Sequence, residues 1–182
     1  MEFVRTSLPD VVWVKPRVFG DERGFFLESW QDAKFAAAGI DARFVQDNHS
    51  RSSRYTLRGL HYQIRHTQGK LVRVTRGSAF DVAVDLRRSS PTFGRSVSVE
   101  LTAAKQDMLW VPPGFAHGFL ALEEGTEFQY KCTDYYAPEH ERAIAWNDPD
   151  LAIEWPLAAG ESPTLSPKDA LAGSFRTAEH FP

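Results

Sequence analysis

His61 is the residue whose surroundings most clearly favour catalysis. It lies in the segment Arg58-Gly-Leu-His-Tyr-Gln63, with Lys70 nine residues later and the polar run Gln46-Asp-Asn48 upstream. An isolated histidine is often only a satisfied, partly buried side chain, but a neutral imidazole near cations and aromatic rings suits proton removal from carbon. We therefore interpret His61 as a general base. Such a base needs a carboxylate to orient its ring. The candidates are Asp81, Asp85 and Asp169.

Other polar residues each have an ordinary structural explanation when taken singly. Tyr130 alternates with Phe128 and Cys132 along a strand-like segment, and we expect this face to turn inward, where a tyrosine hydroxyl usually bonds to backbone. Lys70 begins a strand, where a lysine is usually solvated. Arg23, in Asp21-Glu-Arg-Gly24, is either a turn residue or a phosphate contact.

The histidine spacing argues against a metal centre. The chain has six histidines: His49, His61, His66, His117, His140 and His180. Metal-binding β-barrels of this size typically show two histidines one residue apart, followed by a carboxylate, but His61 is followed by Tyr62 and Gln63. We therefore predict no functional metal.

Composition bounds the class of protein. The 182 residues are 42% hydrophobic and 25% charged, which is ordinary for a globular domain. The formal net charge of −3 argues against nucleic acid or an anionic membrane as the main partner, and no apolar run approaches the length of a membrane span. The single cysteine, Cys132, excludes an internal disulfide. With no signal-peptide pattern at the start, we expect a cytoplasmic protein.

The elements that must position these residues are mostly strands. Residues 79–86 alternate strictly, with apolar side chains on one face and Asp81 and Asp85 on the other. Further strands are predicted at residues 70–75, 96–101 and 108–111. Residues 119–122 and 127–134 read as a hairpin closed by residues 123–126. Helices are predicted only at residues 32–38 and 167–172.

Closely spaced strands separated by turn residues indicate a β-sandwich or a barrel. The proline-rich stretch at residues 138–167 carries Trp146, Leu151 and Trp155, so we expect an ordered arm that wraps the barrel. No linker or repeat interrupts the sequence. We therefore expect residues 1–182 to form a single domain.

Several long motifs, in order along the chain, carry a family resemblance. They occupy residues 58–63, 68–74, 80–87, 90–94, 110–119, 130–142 and 166–169. From about residue 21 to residue 169 the chain resembles the dTDP-4-dehydrorhamnose 3,5-epimerase family. The resemblance implies an all-β, cupin-type jelly-roll barrel with short peripheral helices. It also implies a homodimer that needs no metal or other cofactor.

The resemblance also implies a reaction. Members of this family take dTDP-4-keto-6-deoxy-D-glucose and invert C3 and C5, the carbons on either side of the C4 ketone. By resemblance His61 is the base and Asp169 orients it, ahead of Asp81, which supports the pocket. Tyr130 returns a proton from the opposite face of the sugar ring, and Lys70 holds the enolate oxygen.

Substrate contacts are likewise implied by resemblance rather than by spacing. The binding residues are Arg23, Glu28, Gln46, Asp47, Asn48, Arg58, His117, Tyr136, Glu141 and Lys168. The segment that carries Arg23 and Glu28 is expected to reach into the partner subunit. Small departures occur at Ala143, at Pro167 and in residues 64–67, none of which removes a catalytic group.

Three other functions compete with the double epimerase. The nearest is an epimerase that inverts only C3 or only C5 of a related dTDP-4-keto sugar, because such an enzyme keeps the same residues. A binding-only cupin is disfavoured by the joint presence of the four catalytic candidates. A metal-dependent cupin oxygenase is disfavoured by the missing second histidine.

Overall fold

The computed structural model describes residues 1–182. Thirteen strands dominate it: β1 Glu2–Arg5, β2 Val12–Lys15, β3 Val18–Asp21, β4 Gly24–Leu27, β5 Gln46–Ser52, β6 Leu57–Gln63, β7 Lys70–Arg76, β8 Ser78–Asp85, β9 Ser96–Thr102, β10 Met108–Val111, β11 Phe115–Ala121, β12 Thr126–Cys132 and β13 Glu141–Ala143. The helices are α1 Asp32–Ala37 and α2 Pro167–Ala170, with 3-10 turns at Pro138–His140 and Phe175–Thr177. None of them is long and apolar enough to cross a membrane.

Two large antiparallel sheets form the barrel. One has six strands in the order β1-β2-β10-β7-β12-β5, and the other has five in the order β13-β6-β11-β8-β9. Alternate side chains of β7, β8, β11 and β12 meet between the sheets, where Val72, Ala83, Phe119 and Phe128 belong to the largest buried cluster. The all-β jelly-roll prediction is confirmed.

The predicted hairpin at residues 119–134 is wrong in its pairing. Both strands exist, but β11 pairs with β6 and β8 in the five-stranded sheet, whereas β12 pairs with β5 and β7 in the six-stranded sheet. The turn at residues 123–126 therefore crosses between the sheets. Sequence patterns place a tight turn, but they do not show whether the two strands it joins hydrogen-bond to each other or face each other across a core.

The C-terminal arm, residues 145–182, covers the outer face of the five-stranded sheet, as predicted from the stretch at residues 138–167. Leu151 and Trp155 pack with Val82, Val84 and Leu86, the apolar face of the alternating segment. The opposite face of β8, which carries Asp81 and Asp85, is buried as well. The arm is tied down by bridges to the barrel: Thr56 to Thr164, Ile144 to Gly173, and Arg87 to Phe181.

A two-stranded hairpin, β3–β4, stands apart from both sheets. Its apolar side chains are unusually exposed, reaching 63% for Phe25 and 70% for Phe26. Helix α1 ends one residue before the predicted boundary and packs Phe35 against a separate apolar cluster with Val12 and Trp110. Helix α2 ends two residues early.

Candidate active site

His61 and Asp169 form a hydrogen-bonded pair, although 108 residues separate them in sequence. His61 lies on β6, and its Nε2 is 2.5 Å from Oδ1 of Asp169 in α2. Asp169 is buried, with 4% of its surface exposed. The sequence left three carboxylates open as partners of His61, and the structure supplies Asp169, as the resemblance implied.

Ser166 holds the carboxylate of Asp169 in place. As the N-cap of α2, its Oγ accepts a hydrogen bond from the Asp169 N–H and donates one to Asp169 Oδ2 at 2.8 Å. Burial alone would raise the pKa of Asp169, but hydrogen bonds from His61, Ser166 and the Gly59 backbone lower it. The ionised carboxylate only accepts hydrogen bonds, so Nε2 of His61 carries the hydrogen and Nδ1 is left to accept a proton.

A second histidine–aspartate pair lies directly beside the first. His117 on β11 is the cross-strand neighbour of His61, and its Nε2 lies 2.9 Å from Oδ2 of Asp81 on β8. Both side chains are buried. Asp81 is therefore committed to His117, which accords with its expected role in supporting the pocket. His117 is expected to contact the substrate, but the contacts that the structure shows for it, with Asp81 and with the ring of Phe128, are both inside the protein.

Asp85 serves a different purpose. Its carboxylate accepts hydrogen bonds from Arg87, Ser90 and Thr92, which fix the loop after β8. These bonds outweigh the effect of burial and lower the pKa of Asp85 to about 2. Asp85 is thus excluded as the partner of His61, because the hydrogen-bond partners of its carboxylate all belong to this loop.

Lys70 and Tyr130 come from the six-stranded sheet. Lys70 Nζ lies 6.0 Å from the centre of the Tyr130 ring, and Lys70 makes no side-chain hydrogen bond or salt bridge. Burial lowers the pKa of Lys70, although the charges of Asp81 and Glu141 oppose that shift. Burial raises the pKa of Tyr130, so its hydroxyl keeps its proton at neutral pH. The predicted inward face of β12 is confirmed, since Phe128 and Cys132 are fully buried.

A chain of polar contacts runs along the rim. The Tyr136 hydroxyl donates to Glu141 Oε2 at 2.7 Å, and the same oxygen pairs with Lys168 Nζ. Burial would raise the pKa of Glu141, but hydrogen bonds from Lys168 and Tyr136 lower it. Since Lys168 precedes Asp169, the predicted binding residues Tyr136, Glu141 and Lys168 adjoin the His61–Asp169 pair.

Strand alternation divides the predicted binding stretch on β5. Asn48 Nδ2 contacts Cys132 Sγ at 3.5 Å on the inner face, and Gln46 bonds to Asn48 at 3.0 Å. Asp47 points to the other face, where it pairs with Lys131 and is 70% exposed. Asp47 as a substrate contact therefore stays a prediction, and its side chain lies on the opposite face of the sheet from Asn48. Arg58 donates a hydrogen bond to Ser52. It also lies near Tyr130, and its positive charge opposes the rise in the Tyr130 pKa that burial causes.

Arg23 and Glu28 do not join the cluster within one chain. Arg23, 85% exposed, pairs with Asp21 in the β3–β4 hairpin, and Glu28 pairs with Lys34 of α1. A cavity of about 360 Å³ also lies apart from the His61–Asp169 pair: Tyr130 and Asn48 line it, but His61, Lys70, His117 and Asp169 do not. We place the site where the titratable groups converge because geometry of reacting groups, rather than volume, decides chemistry.

Sequence reasoning missed two features of the site. The capping role of Ser166 was readable from Ser166-Pro-Lys-Asp169, because a serine three residues before an acidic residue is a helix-start signal. The other feature is a close approach of β6 and β11: a Cβ on Gly59 would lie 2.5 Å from Gly118 Cα. Gly59 also has a φ of +125°, so both space and conformation require glycine beside the two histidines.

Comparisons with known proteins identify the family of the chain. The model of the family described as dTDP-4-dehydrorhamnose 3,5-epimerase matches residues 5–177. A protein of that name from Pseudomonas aeruginosa is 57% identical over 183 residues, covering 100% of both chains.

Solved structures extend the match to the fold. An epimerase from Legionella pneumophila, in complex with dTDP-4-keto-L-rhamnose, has a TM-score of 0.94 and 51% identity, covering 98% of this chain and 94% of its own. A 3'-monoepimerase from Streptomyces bikiniensis has a TM-score of 0.89 and 35% identity, with coverages of 95% and 87%. On the family match and these identities, the chain belongs to the dTDP-4-dehydrorhamnose 3,5-epimerase family.

Proposed function

We propose that this protein inverts C3 and C5 of dTDP-4-keto-6-deoxy-D-glucose, giving dTDP-4-dehydro-L-rhamnose in dTDP-L-rhamnose biosynthesis. The observation that carries the proposal is the hydrogen-bonded pair of His61, on the five-stranded sheet, and Asp169, in α2. Lys70 and Tyr130 are contributed by the six-stranded sheet. The protons on C3 and C5 are acidic because the C4 ketone stabilises the carbanion left by either one. Each inversion therefore needs one base, one acid and a group that stabilises the enolate oxygen.

His61 acts as the base. Its Nε2–H donates to the buried Asp169 carboxylate, which leaves Nδ1 as the nitrogen that takes the proton from carbon. The imidazolium that forms is stabilised by the same carboxylate. A general base of this kind contributes roughly 10²–10⁴ in rate.

Tyr130 and Lys70 complete the inversion. A raised pKa keeps the Tyr130 hydroxyl protonated, so it can return a proton from the face opposite His61. Inversion requires two groups, because a single group acting from one face restores the starting configuration. Lys70 has no partner in the protein, so its ammonium hydrogens are free to bind the enolate oxygen, an interaction worth several kcal/mol in a dry pocket.

The test is isotope exchange with the natural substrate. The protein is incubated with dTDP-4-keto-6-deoxy-D-glucose in D2O, and deuterium at C3 and C5 is followed by NMR. We expect deuterium at both carbons and a product of rhamno configuration. No exchange at either carbon would contradict the proposed activity.

The runner-up is inversion of a single carbon, and one comparison favours keeping it. The 3'-monoepimerase from Streptomyces bikiniensis has the same fold at 35% identity. In the same D2O experiment, exchange and inversion at only C3 or only C5 would select this alternative.

We also propose that the active form is a homodimer in which Arg23 and Glu28 reach the partner's site. The supporting feature is the β3–β4 hairpin, where Phe25 and Phe26 are exposed beside an Arg23 that meets no other site residue. Apolar area of this kind is typical of an interface. Light scattering after gel filtration should give twice the chain mass.

Subunit mixing tests whether Arg23 acts across the dimer. His61→Ala and Arg23→Ala subunits are unfolded together and refolded as a mixture. If Arg23 serves the partner's site, each mixed dimer regains one intact site, about a quarter of all sites for random pairing. If Arg23 served its own subunit, mixing would restore no activity.

Three further proposals complete the description. The reaction uses only proton transfer, so we propose that it needs no metal or redox cofactor; about one equivalent of bound metal by elemental analysis, required for activity, would contradict this. We propose a cytoplasmic location, which suits a chain whose one cysteine is a buried free thiol. We propose that residues 1–182 form a single domain, which should unfold in one calorimetric transition.

A further inference from the structure

The side-chain amide of Gln63 makes all its hydrogen bonds to the backbone of two loops. Its Nε2 donates to the carbonyl oxygens of His66 at 2.6 Å and Tyr135 at 3.2 Å, and its Oε1 accepts from the Ala137 N–H at 2.9 Å. Gln63 ends β6 and is only 5% exposed. Its polar atoms are therefore used to hold backbone rather than to meet a ligand.

A second glutamine holds the same segment from the opposite sheet. Gln46 Oε1 accepts from the Tyr136 N–H at 3.0 Å, while its Nε2 donates to Asn48. Residues 135–137 have no regular secondary structure, so the two glutamines supply partners that a strand would otherwise provide. The backbone on both sides of Tyr136 is thereby fixed.

The side chain of Tyr136 is fixed through the same strand pair. Glu141 is the cross-strand neighbour of Gln63, and it accepts the hydrogen bond from the Tyr136 hydroxyl. The Tyr136 ring nevertheless remains 54% exposed. An exposed ring that is held at both ends is a preformed flat surface, which loses little conformational entropy when another ring stacks on it.

We propose that Gln63 is a positioning residue that pre-orders Tyr136 as a stacking surface for the aromatic base of the sugar nucleotide. This inference rests on the proposed function, because Tyr136 must contact the nucleotide for its orientation to matter. Gln63 acts through Tyr136 on binding, and not on the reacting carbons near His61. Its loss should therefore weaken nucleotide affinity and leave the chemical step unchanged.

The primary variant is Gln63→Met, which keeps the length of the side chain and removes its hydrogen bonds. We expect the KM for the sugar nucleotide and the Kd for dTDP, measured by calorimetry, to rise about tenfold, with kcat within about twofold. Should this variant fail to fold, Gln63→Glu retains the acceptor for Ala137 and loses both donated bonds, and the same direction is expected.

Gln106→Met is the matched control. Gln106 is also 5% exposed, donates to the Ala103 carbonyl and accepts from Arg73, but it lies before β10, away from the rim. The Gln106→Met variant should have a lower melting temperature and an unchanged affinity for dTDP. Equal losses of affinity in the two methionine variants would overturn the inference, because the effect would then be a general one.

A double-mutant cycle tests whether Gln63 acts through Tyr136. In a Tyr136→Ala background, Gln63→Met should change the Kd for dTDP by less than about twofold, because the ring it orders is absent. A further tenfold loss in that background would overturn the inference and leave the epimerase proposal intact. If Tyr136→Ala alone left dTDP affinity unchanged, both the inference and the nucleotide role of Tyr136 would be refuted.

Discussion

Replacing Asp169 with asparagine isolates the contribution of the charge behind His61. The substitution keeps the size of the side chain, and an amide oxygen can still accept from His61 Nε2. What is lost is the negative charge that stabilises the imidazolium after proton abstraction. Because Asp169 is buried and 2.5 Å from His61, this charge is poorly screened by water.

The size of the effect follows from the energy of a charge-assisted hydrogen bond. Such a bond contributes about 1.5–3 kcal/mol. Since each 1.36 kcal/mol of barrier is a factor of ten in rate, proton abstraction should slow by roughly 10-fold to 150-fold. Both carbons should be affected alike, because His61 serves both.

The assay is the initial rate of deuterium wash-in at C3 and C5 under saturating substrate. Asp148→Asn is the matched control, because Asp148 is 3% exposed in the same arm and accepts bonds from the Asp150 and Phe175 backbone without touching the site. The Asp148→Asn variant should have a lower free energy of unfolding and the same rate of deuterium exchange as the unchanged protein. If Asp169→Asn exchanged deuterium within twofold of the unchanged protein, the assigned role of the carboxylate would be refuted.

Three further predictions concern single side chains. Tyr130→Phe should retain proton loss from carbon while formation of inverted product falls about 10²–10⁴-fold, and an unchanged inversion rate would refute the two-face assignment. Lys70→Met should lower kcat about 10²–10³-fold without lowering the melting temperature, because burial already disfavours the charged amine; a normal kcat would contradict the enolate role. Asp85→Asn should cost about 2 kcal/mol at pH 7, since the pKa of Asp85 is lowered from 3.8 to about 2. That stability is present above pH 3.8 and is lost as the pH falls towards 2. The free energies of unfolding of the two proteins, measured by urea titration, should therefore converge near pH 2. A difference that stayed the same at every pH would contradict this assignment.

Much of the barrel could be predicted because its strands alternate. The alternation of residues 79–86 was correct, yet the periodicity did not reveal that both faces are buried, since the arm that covers the apolar face is distant in sequence. The same limit explains the wrong hairpin. Residues 115–132 contain two strands and a turn whether the strands pair with each other or lie in different sheets, and only the three-dimensional structure distinguishes the two arrangements.

For the site, too, some features could be predicted from the sequence and others could not. The types of His61, Tyr130 and Lys70 could be interpreted singly, but their convergence came from the family resemblance, because they lie on different sheets. The pairing of His117 with Asp81 was not predicted, although both residues had been noted. Asp47 shows a limit of reading a contiguous motif as one binding stretch, because strand alternation turns its middle residue to the other face of the sheet.

The dyad joins the barrel to the arm that crosses its outside, and this has a consequence for how the protein is made. During synthesis the ribosome delivers β6 more than a hundred residues before Asp169. A nascent chain can therefore pair its barrel strands while His61 still lacks its counter-ion and the rim still lacks Lys168. Competence to turn over substrate is therefore acquired last, when α2 docks, because a ribosome-released fragment or a chain clipped within the arm holds His61 without the carboxylate that orients it.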